Sequence, residues 1–267
     1  MYNFILFKVR KIFKRIYNNI LTIVTDALQN QINSLVEELN FKGEKDFKLI
    51  VLFGLLGDFD TFEYAINLKN FIDNHQDKNI DIFAIAIGNQ KGKEKFCKFT
   101  GFRKENLKVV PNNQIHNNLK VSRGLDVGLG GWVNMVLMLS GINSINTIKE
   151  VIRGYTGDRK AKQIYSDYDK IDFLKFLKFS GNSFRQFFGD GYLRPFELAT
   201  FRLNNMNEII QSWDDYILHE KYLPQRGASI LLNDKNQVIY KFFSSDVLGY
   251  SSNMRDPLEF LSNLIKE

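Results

Sequence analysis

Two runs of the chain are apolar almost without interruption over the length of a strand. LIVLFGLLG (residues 49–57) and IDIFAIAIG (80–88) each end on a glycine, as expected of central strands buried on both faces. Between them Phe62, Ala65, Ile66, Leu68 and Ile72 recur at helical spacing. Asp60 or Thr61 is placed to cap that helix, with Glu63 in its first turn. Strand, helix and strand together predict a right-handed crossover and a parallel pair. A short helix is expected from about Lys91 to Thr100, stopped by Gly101. LKVV (107–110) reads as a short strand or extended piece before Pro111. Sheet signals return only at GASILLN (227–233) and QVIYKFF (237–243), which flank Asp234, Lys235 and Asn236 and predict an antiparallel hairpin. Pro257 then opens a last helix, Leu258 to Ile265.

The intervening stretch, 129–215, reads as helices: Trp132 to Leu139, Ser144 to Tyr155, Ile171 to Phe179 and Pro195 to Tyr216. Phe173, Phe176, Phe179, Phe184, Phe187, Phe188, Phe196 and Phe201 stand at mostly helical spacings. They are expected to be core, with a hydrophobic ligand groove as the alternative. No Pro/Gly/Ser-rich linker precedes these helices, so they are expected to pack on the sheet domain. The fold class predicted is α/β: a thioredoxin-like mixed sheet, built from a βαβ unit plus a C-terminal antiparallel hairpin, with a large helical insertion. The expected organisation is an N-terminal helix and linker (1–45), a first part of the core (46–128), the insertion (129–216), and the hairpin with the last helix (217–267).

Charge changes the picture at one end. The chain of 267 residues has 36 Lys+Arg against 30 Asp+Glu, a net +6. Residues 1–25 hold Lys8, Arg10, Lys11, Lys14 and Arg15 and no acid, so the body carries about +1. A nucleic-acid partner is therefore not expected. Ile5, Val9, Ile12, Phe13, Ile16, Ile20, Ile23 and Val24 fall in one helical arc, opposite those cations. This basic amphipathic segment is too interrupted to span a membrane. Three readings stay open: docking on the protein's own core, peripheral contact with an anionic membrane, and a targeting peptide. The expected location is cytoplasmic, with the membrane periphery as the variant that residues 1–25 would confer.

A single cysteine, Cys97, excludes an intramolecular disulfide and every metal site built on two thiolates. His75, His116 and His219 have no metal-ligand spacing; His116 follows the Pro111 turn and could approach the strand ends, although a surface position is the expectation. No metal or cofactor is expected. In open α/β sheets, chemistry gathers where parallel strands end and the next helices begin, here Gly57 to Thr61. Asp58 and Asp60 could serve there as acid and base or as cation ligands, although one is more simply a helix cap. Cys97 stands among Lys93, Lys95 and Lys98, which would favour its thiolate; a buried structural thiol is the alternative. The basic stretch IRGYTGDRKAK (152–162) could hold a phosphate or carboxylate, or be a solvated loop.

GDFDTFEYA (57–65), FCKFTGF (96–102), GYTGDRKA (154–161), RPFELATFRLNNM (194–206), QRGASILL (225–232) and LGYSSNM (248–254) resemble the peroxiredoxin-like AhpC/TSA proteins of cyanobacteria and plastids. The resemblance runs from about residue 46 to the end. It implies a thioredoxin fold and thiol-dependent peroxide reduction, with an external thiol reductant as partner. It also places a peroxidatic cysteine after the first strand, preceded by Thr or Ser. The matching positions, Asp58 to Thr61, hold no cysteine. The place of a cis-proline before the hairpin is taken by Arg226 and Gly227. The candidate site residues are therefore Cys97, Thr61, Asp58 and Arg226. Three functions are carried forward: an antioxidant oxidoreductase using Cys97 alone, a catalytically silent thioredoxin-fold binding or scaffold protein, and a membrane-surface adaptor using the N-terminal helix, which is compatible with either.

Overall fold

The structure is a computed structural model that describes residues 27–39, 41, 45–75, 79–173 and 177–265. The basic amphipathic segment 1–25 lies outside the described residues.

A five-stranded sheet organises the molecule. In chain order its strands are β1 (Phe47–Leu55), β2 (Ile80–Ile87), β3 (Leu107–Val110), β6 (Ala228–Leu232) and β7 (Val238–Phe243), arranged β3-β2-β1-β6-β7. Strand β1 is central. It pairs in parallel with β2 from Phe47 opposite Ile80 to Leu52 opposite Ile85. It pairs antiparallel with β6, Lys48 opposite Leu232 and Leu52 opposite Ala228. Parallel β3 and antiparallel β7 complete the edges. This is the thioredoxin-like mixed sheet that the pattern predicts.

The alternation of β1 divides the core into two layers. Leu49, Val51, Phe53 and Leu55 face one side, where α2 (Phe59–Asn74) and α3 (Gln90–Thr100) supply Phe62, Leu68 and Phe96. Ile50 and Leu52 face the other, against Ile32, Leu35, Val36 and Leu39 of a helix, α1, described over 27–39. The sequence reading had placed these residues in a linker. Their spacing, i, i+3, i+4, i+7, is that of a helix with one buried face.

Two glycines let the central strands approach the segment before the hairpin. A Cβ on Gly54 would lie 2.3 Å from the Gln225 carbonyl oxygen, and one on Gly227 2.4 Å from that of Leu52. Any side chain there would force the β1 end and the 225–227 segment apart.

The excursion departs from its prediction in one element. Residues 171–179 are not a helix but two strands, β4 (Lys170–Phe173) and β5 (Leu177–Ser180), paired antiparallel with Ile171 opposite Phe179. The stretch alternates as well as it repeats helically. Ile171, opposite Phe179, is buried, whereas the next pair along the ladder, Asp172 opposite Lys178, is exposed and forms an ion pair, which is period-two behaviour. The other helices are α4 (Gln114–Asn118), α5 (Gly131–Leu139), α6 (Ile145–Thr156), α7 (Asn182–Phe188), α8 (Glu197–Gln211), α9 (Trp213–Tyr216) and α10 (Glu259–Ile265). The single helix expected from Pro195 to Tyr216 is thus broken at Ser212, which is not helical. Of the phenylalanine stripe, Phe184 is buried while Phe187 and Phe196 are exposed.

Arg202 of α8 ties the excursion to the sheet layer. Its Nε and Nη2 donate to the Glu63 carboxylate of α2 at 2.7 and 3.1 Å, and Nη1 and Nη2 donate to the Glu150 carbonyl and carboxylate of α6. Within the excursion, Arg194 and Glu197 form a fully buried pair, and Glu197 also accepts from the backbone of Ile164 and Tyr165.

Candidate functional site

The strand-to-helix turn after β1 carries Asp58 at the cap position of α2, but its side chain makes no capping hydrogen bond. It turns instead toward Arg226, which stands just before β6. Asp58 Oδ2 lies 3.0 Å from Arg226 Nη2 and Asp60 Oδ2 2.9 Å from Nη1. The remaining guanidinium donors are also engaged, Nε with the Pro224 carbonyl at 2.8 Å and Nη2 with that of Leu223 at 3.0 Å. Asp60 Oδ1 accepts the Leu248 amide at 2.6 Å, and Thr61 donates its hydroxyl proton to the Leu55 carbonyl. All four side chains are buried. The structure thus brings together Asp58, Thr61 and Arg226, and adds Asp60 as the second carboxylate on the guanidinium.

Two carboxylates share one guanidinium in a dry setting, and this sets their protonation. Burial pushes the Asp58 carboxyl up against the pull of Arg226. Asp60 is pushed up to about 8, first by burial and then by the negative charge of Asp58, with Arg226 opposing both. Asp58 Oδ1 is buried with no hydrogen-bond partner. The cavity beside the cluster, lined by Asp58, Asp60, Thr61, Tyr64, Ser229 and Tyr250 among others, measures about 20 Å³. That is room for about one water molecule. Chemically, the arrangement is a sealed ion cluster with a net negative charge when both acids ionise. A peroxide oxygen seeking the Arg226 cation would have to displace a carboxylate from it.

Cys97 is elsewhere. It lies in the middle of α3 among the apolar side chains that include Phe96 and Phe102, and does not line that cavity. Burial pushes its thiol up, and the pull of Lys93 and Lys104 does not overcome this. The lysines expected to activate it are partly engaged: Lys95 reaches Asp215 at 2.6 Å and Ser212 at 3.1 Å.

His116 is not at the surface as expected. It is fully buried, with Nε2 2.6 Å from the Phe53 carbonyl, and burial lowers its pKa to about 4. The ring is therefore neutral at pH 7 and donates from Nε2 into the end of β1, while Nδ1 has no partner. The turn at Pro111 and the helix α4 carry it to the end of β1, the alternative that its position after Pro111 leaves open. In the basic stretch, Arg153 is held by Glu150 and Arg159 lies over the Tyr192 ring. Among the described residues no group of His, Cys, Asp and Glu is arranged to hold a metal ion. No described helix is long and apolar enough to cross a membrane.

No curated protein and no solved structure matches the chain. The family model described as AhpC/TSA antioxidant enzyme matches residues 67–246. This span takes in Cys97, Arg226, the whole helical excursion and both hairpin strands, and it begins within α2, after Asp58 and Thr61. A match over more than half of the sequence, on a sheet of thioredoxin-like order, places the protein: the chain belongs to the AhpC/TSA antioxidant enzyme family.

Proposed function

We propose that this protein is a catalytically silent member of its family, a thioredoxin-fold binding or scaffold protein. The observation that carries the reading is the Asp58–Arg226–Asp60 cluster, which fills the place where the fold would present a reactive thiol. Peroxide reduction needs a thiolate beside a cation or dipole that takes up charge on the leaving oxygen. At the β1–α2 turn the cation is consumed by two carboxylates, and no sulfur is present. The one thiol, Cys97, is buried and pushed toward the unreactive protonated form. It also lacks a second cysteine to resolve a sulfenic acid, so any turnover would consume an outside thiol.

The test is peroxide consumption by the full chain with thioredoxin or glutathione as reductant, for the wild type and Cys97→Ser. The expected result is no rate above the buffer for either. A robust rate abolished by Cys97→Ser would restore the one-cysteine oxidoreductase. A rate that survives the substitution would place the chemistry in groups other than a thiol. Either outcome overturns the silent reading.

A further inference from the structure

The first turn of α5 opens onto a cleft with its backbone amides uncommitted. Gly130 at the cap has no side chain to take them, and no acid stands in the first turn. Among the described residues nothing accepts from the amides of Gly131, Trp132 and Val133. Such amides carry the positive end of the helix dipole. The cleft lies between this helix end, the loop from Arg123 to Asp126 and the segment from Lys221 to Gln225, and measures about 330 Å³. It stands at the end of the sheet where β1 and β3 finish and β6 begins. Open α/β sheets take their ligands at that end.

A second observation is independent of the helix end. Asn134, only 4% exposed, lines the cleft. Its Oδ1 accepts the Val127 amide at 3.1 Å, and its Nδ2 has no partner among the described residues. Buried side-chain amides seldom keep a donor idle, and Nδ2 is the atom that Asn134 offers to the cleft. Gln225, on the facing segment, shows the contrast. Its Nε2 donates to the Ser122 carbonyl at 2.8 Å, and its Oε1 accepts from Asn113 Nδ2 at 2.9 Å. Those bonds fix one wall. Gly131 fixes the other, since a Cβ there would lie 1.8 Å from the Glu220 carbonyl oxygen. Charge says what the idle donors suit. Arg123 and Lys221 both line the cleft, and neither is in an ion pair among the described residues. Arg123 spends only Nε, on Asn117, and Lys221 Nζ lies 4.9 Å from the Tyr222 ring centre. Against them stand two acids. Asp126 lines the cleft with Oδ1 on the Gly128 amide, and Glu220 accepts from the Trp132 indole at 3.2 Å. A cation entering here would still face two positive side chains and a helix N-terminus; an anion finds donors from all of them.

We infer that this cleft binds the phosphate group of a small soluble ligand. The phosphate sits on the α5 amides and Asn134 Nδ2, and Arg123 and Lys221 supply its counter-charge. A carboxylate offers two oxygens in one plane. A phosphate monoester offers three around a tetrahedral centre, which suits donors arriving from a helix end, a side-chain amide, a guanidinium and an ammonium. The cleft is larger than phosphate alone needs, so the ligand carries an organic body. The site rests on the binding reading above by giving it a ligand, and the two fail separately. Peroxide turnover would overturn the silent reading with phosphate binding intact, and absent phosphate binding would overturn this site with the chain still silent.

The experiment is calorimetric titration of the full chain with inorganic phosphate and with glycerol 3-phosphate, at constant ionic strength, with acetate as comparator. Both phosphates are expected to bind, glycerol 3-phosphate with a Kd below about 1 mM, and acetate about tenfold more weakly. Asn134→Asp keeps the oxygen that the Val127 amide uses and replaces the free donor by an anion. It should weaken glycerol 3-phosphate by about tenfold or more, with circular dichroism unchanged. Arg123→Gln and Lys221→Gln, both at the surface, should each weaken it several-fold without touching a buried group, and Asp126→Asn should tighten it. No binding of either phosphate overturns the site. So does binding that all three weakening variants leave unchanged, since the phosphate would then lie elsewhere. Acetate bound as tightly as phosphate overturns the ligand class. Capture on vesicles containing phosphatidate, with no binding of glycerol 3-phosphate, overturns the soluble ligand in favour of a lipid headgroup.

Discussion

Arg226 is the residue on which the closed end of the sheet depends. Removing its guanidinium would leave Asp58 and Asp60 buried, adjacent and without a counter-charge. Breaking a buried ion pair in this way typically costs about 3–5 kcal/mol. Arg226→Met is therefore expected to lower the urea midpoint strongly. Asp58→Asn/Asp60→Asn on the same background is expected to recover most of the loss, because the charges left unpaired are then gone. Failure of the acids to rescue would mean that Arg226 stabilises through its carbonyl contacts instead. The same cluster shapes the pH dependence. Asp60 binds its proton more tightly folded than unfolded, so its contribution is full at low pH and is lost as pH rises toward about 8. His116 binds its proton less tightly folded, so its contribution is full above pH 6.5 and is lost as pH falls toward about 4. Asp58, pushed up by the same burial, slopes in the same sense as Asp60; the two carboxyls oppose His116 between pH 4 and 6.5, and their slope prevails from 6.5 to 8. Stability is expected to fall across that upper interval by up to about 1.4 kcal/mol per pH unit, and Asp60→Asn should flatten it in denaturant titrations. From sequence, Asp58 and Thr61 could be placed at the turn because strand ends are legible. That Arg226 would be spent on two acids was not, because the pairing joins residues separated by the whole excursion.

At the scale of elements, the strands were legible and the helical excursion only partly so. Runs such as 49–57 have one reading, because a continuous apolar stretch of that length between breakers fits a strand buried on both faces. Residues 171–179 have two, since Ile171, Phe173, Leu177 and Phe179 alternate while Phe173, Phe176 and Leu177 repeat at helical spacing. Tertiary pairing decided in favour of the hairpin. Helix α1 has a legible period of its own in Ile32, Leu35, Val36 and Leu39. What holds the excursion in place is a further matter of single contacts. Arg202→Leu should leave Glu63 buried and uncompensated between α2 and α8, at a cost of about 3 kcal/mol. Hydrogen exchange should then quicken across α6 and α8 before it does in β1 and β2. Uniform quickening would show that Arg202 supports the whole fold rather than this joint. Arg202→Lys should be nearly as damaging, because a lysine cannot span two carboxylates with the fork of a guanidinium.

For the molecule as a whole, the order of strands along the chain is the informative property. Among the described residues, the two apolar layers, one under α2 and α3 and one under α1, are built from residue 28 onward. A chain beginning at residue 26 is thus expected to unfold as cooperatively as the full one, by circular dichroism in urea. Loss of cooperativity would make the basic segment part of the core. The central position of β1 has a further consequence for how the protein is made. During synthesis β1 can pair with β2 and then β3 as soon as they emerge, since all three lie early in the chain. Its other edge waits for β6, which follows the entire excursion. Until the ribosome has released residues 228–232, the central strand shows a row of unsatisfied amides and carbonyls to solvent or to a neighbouring nascent chain. Chains stalled or cleaved within the excursion should accordingly be captured by chaperones or aggregate.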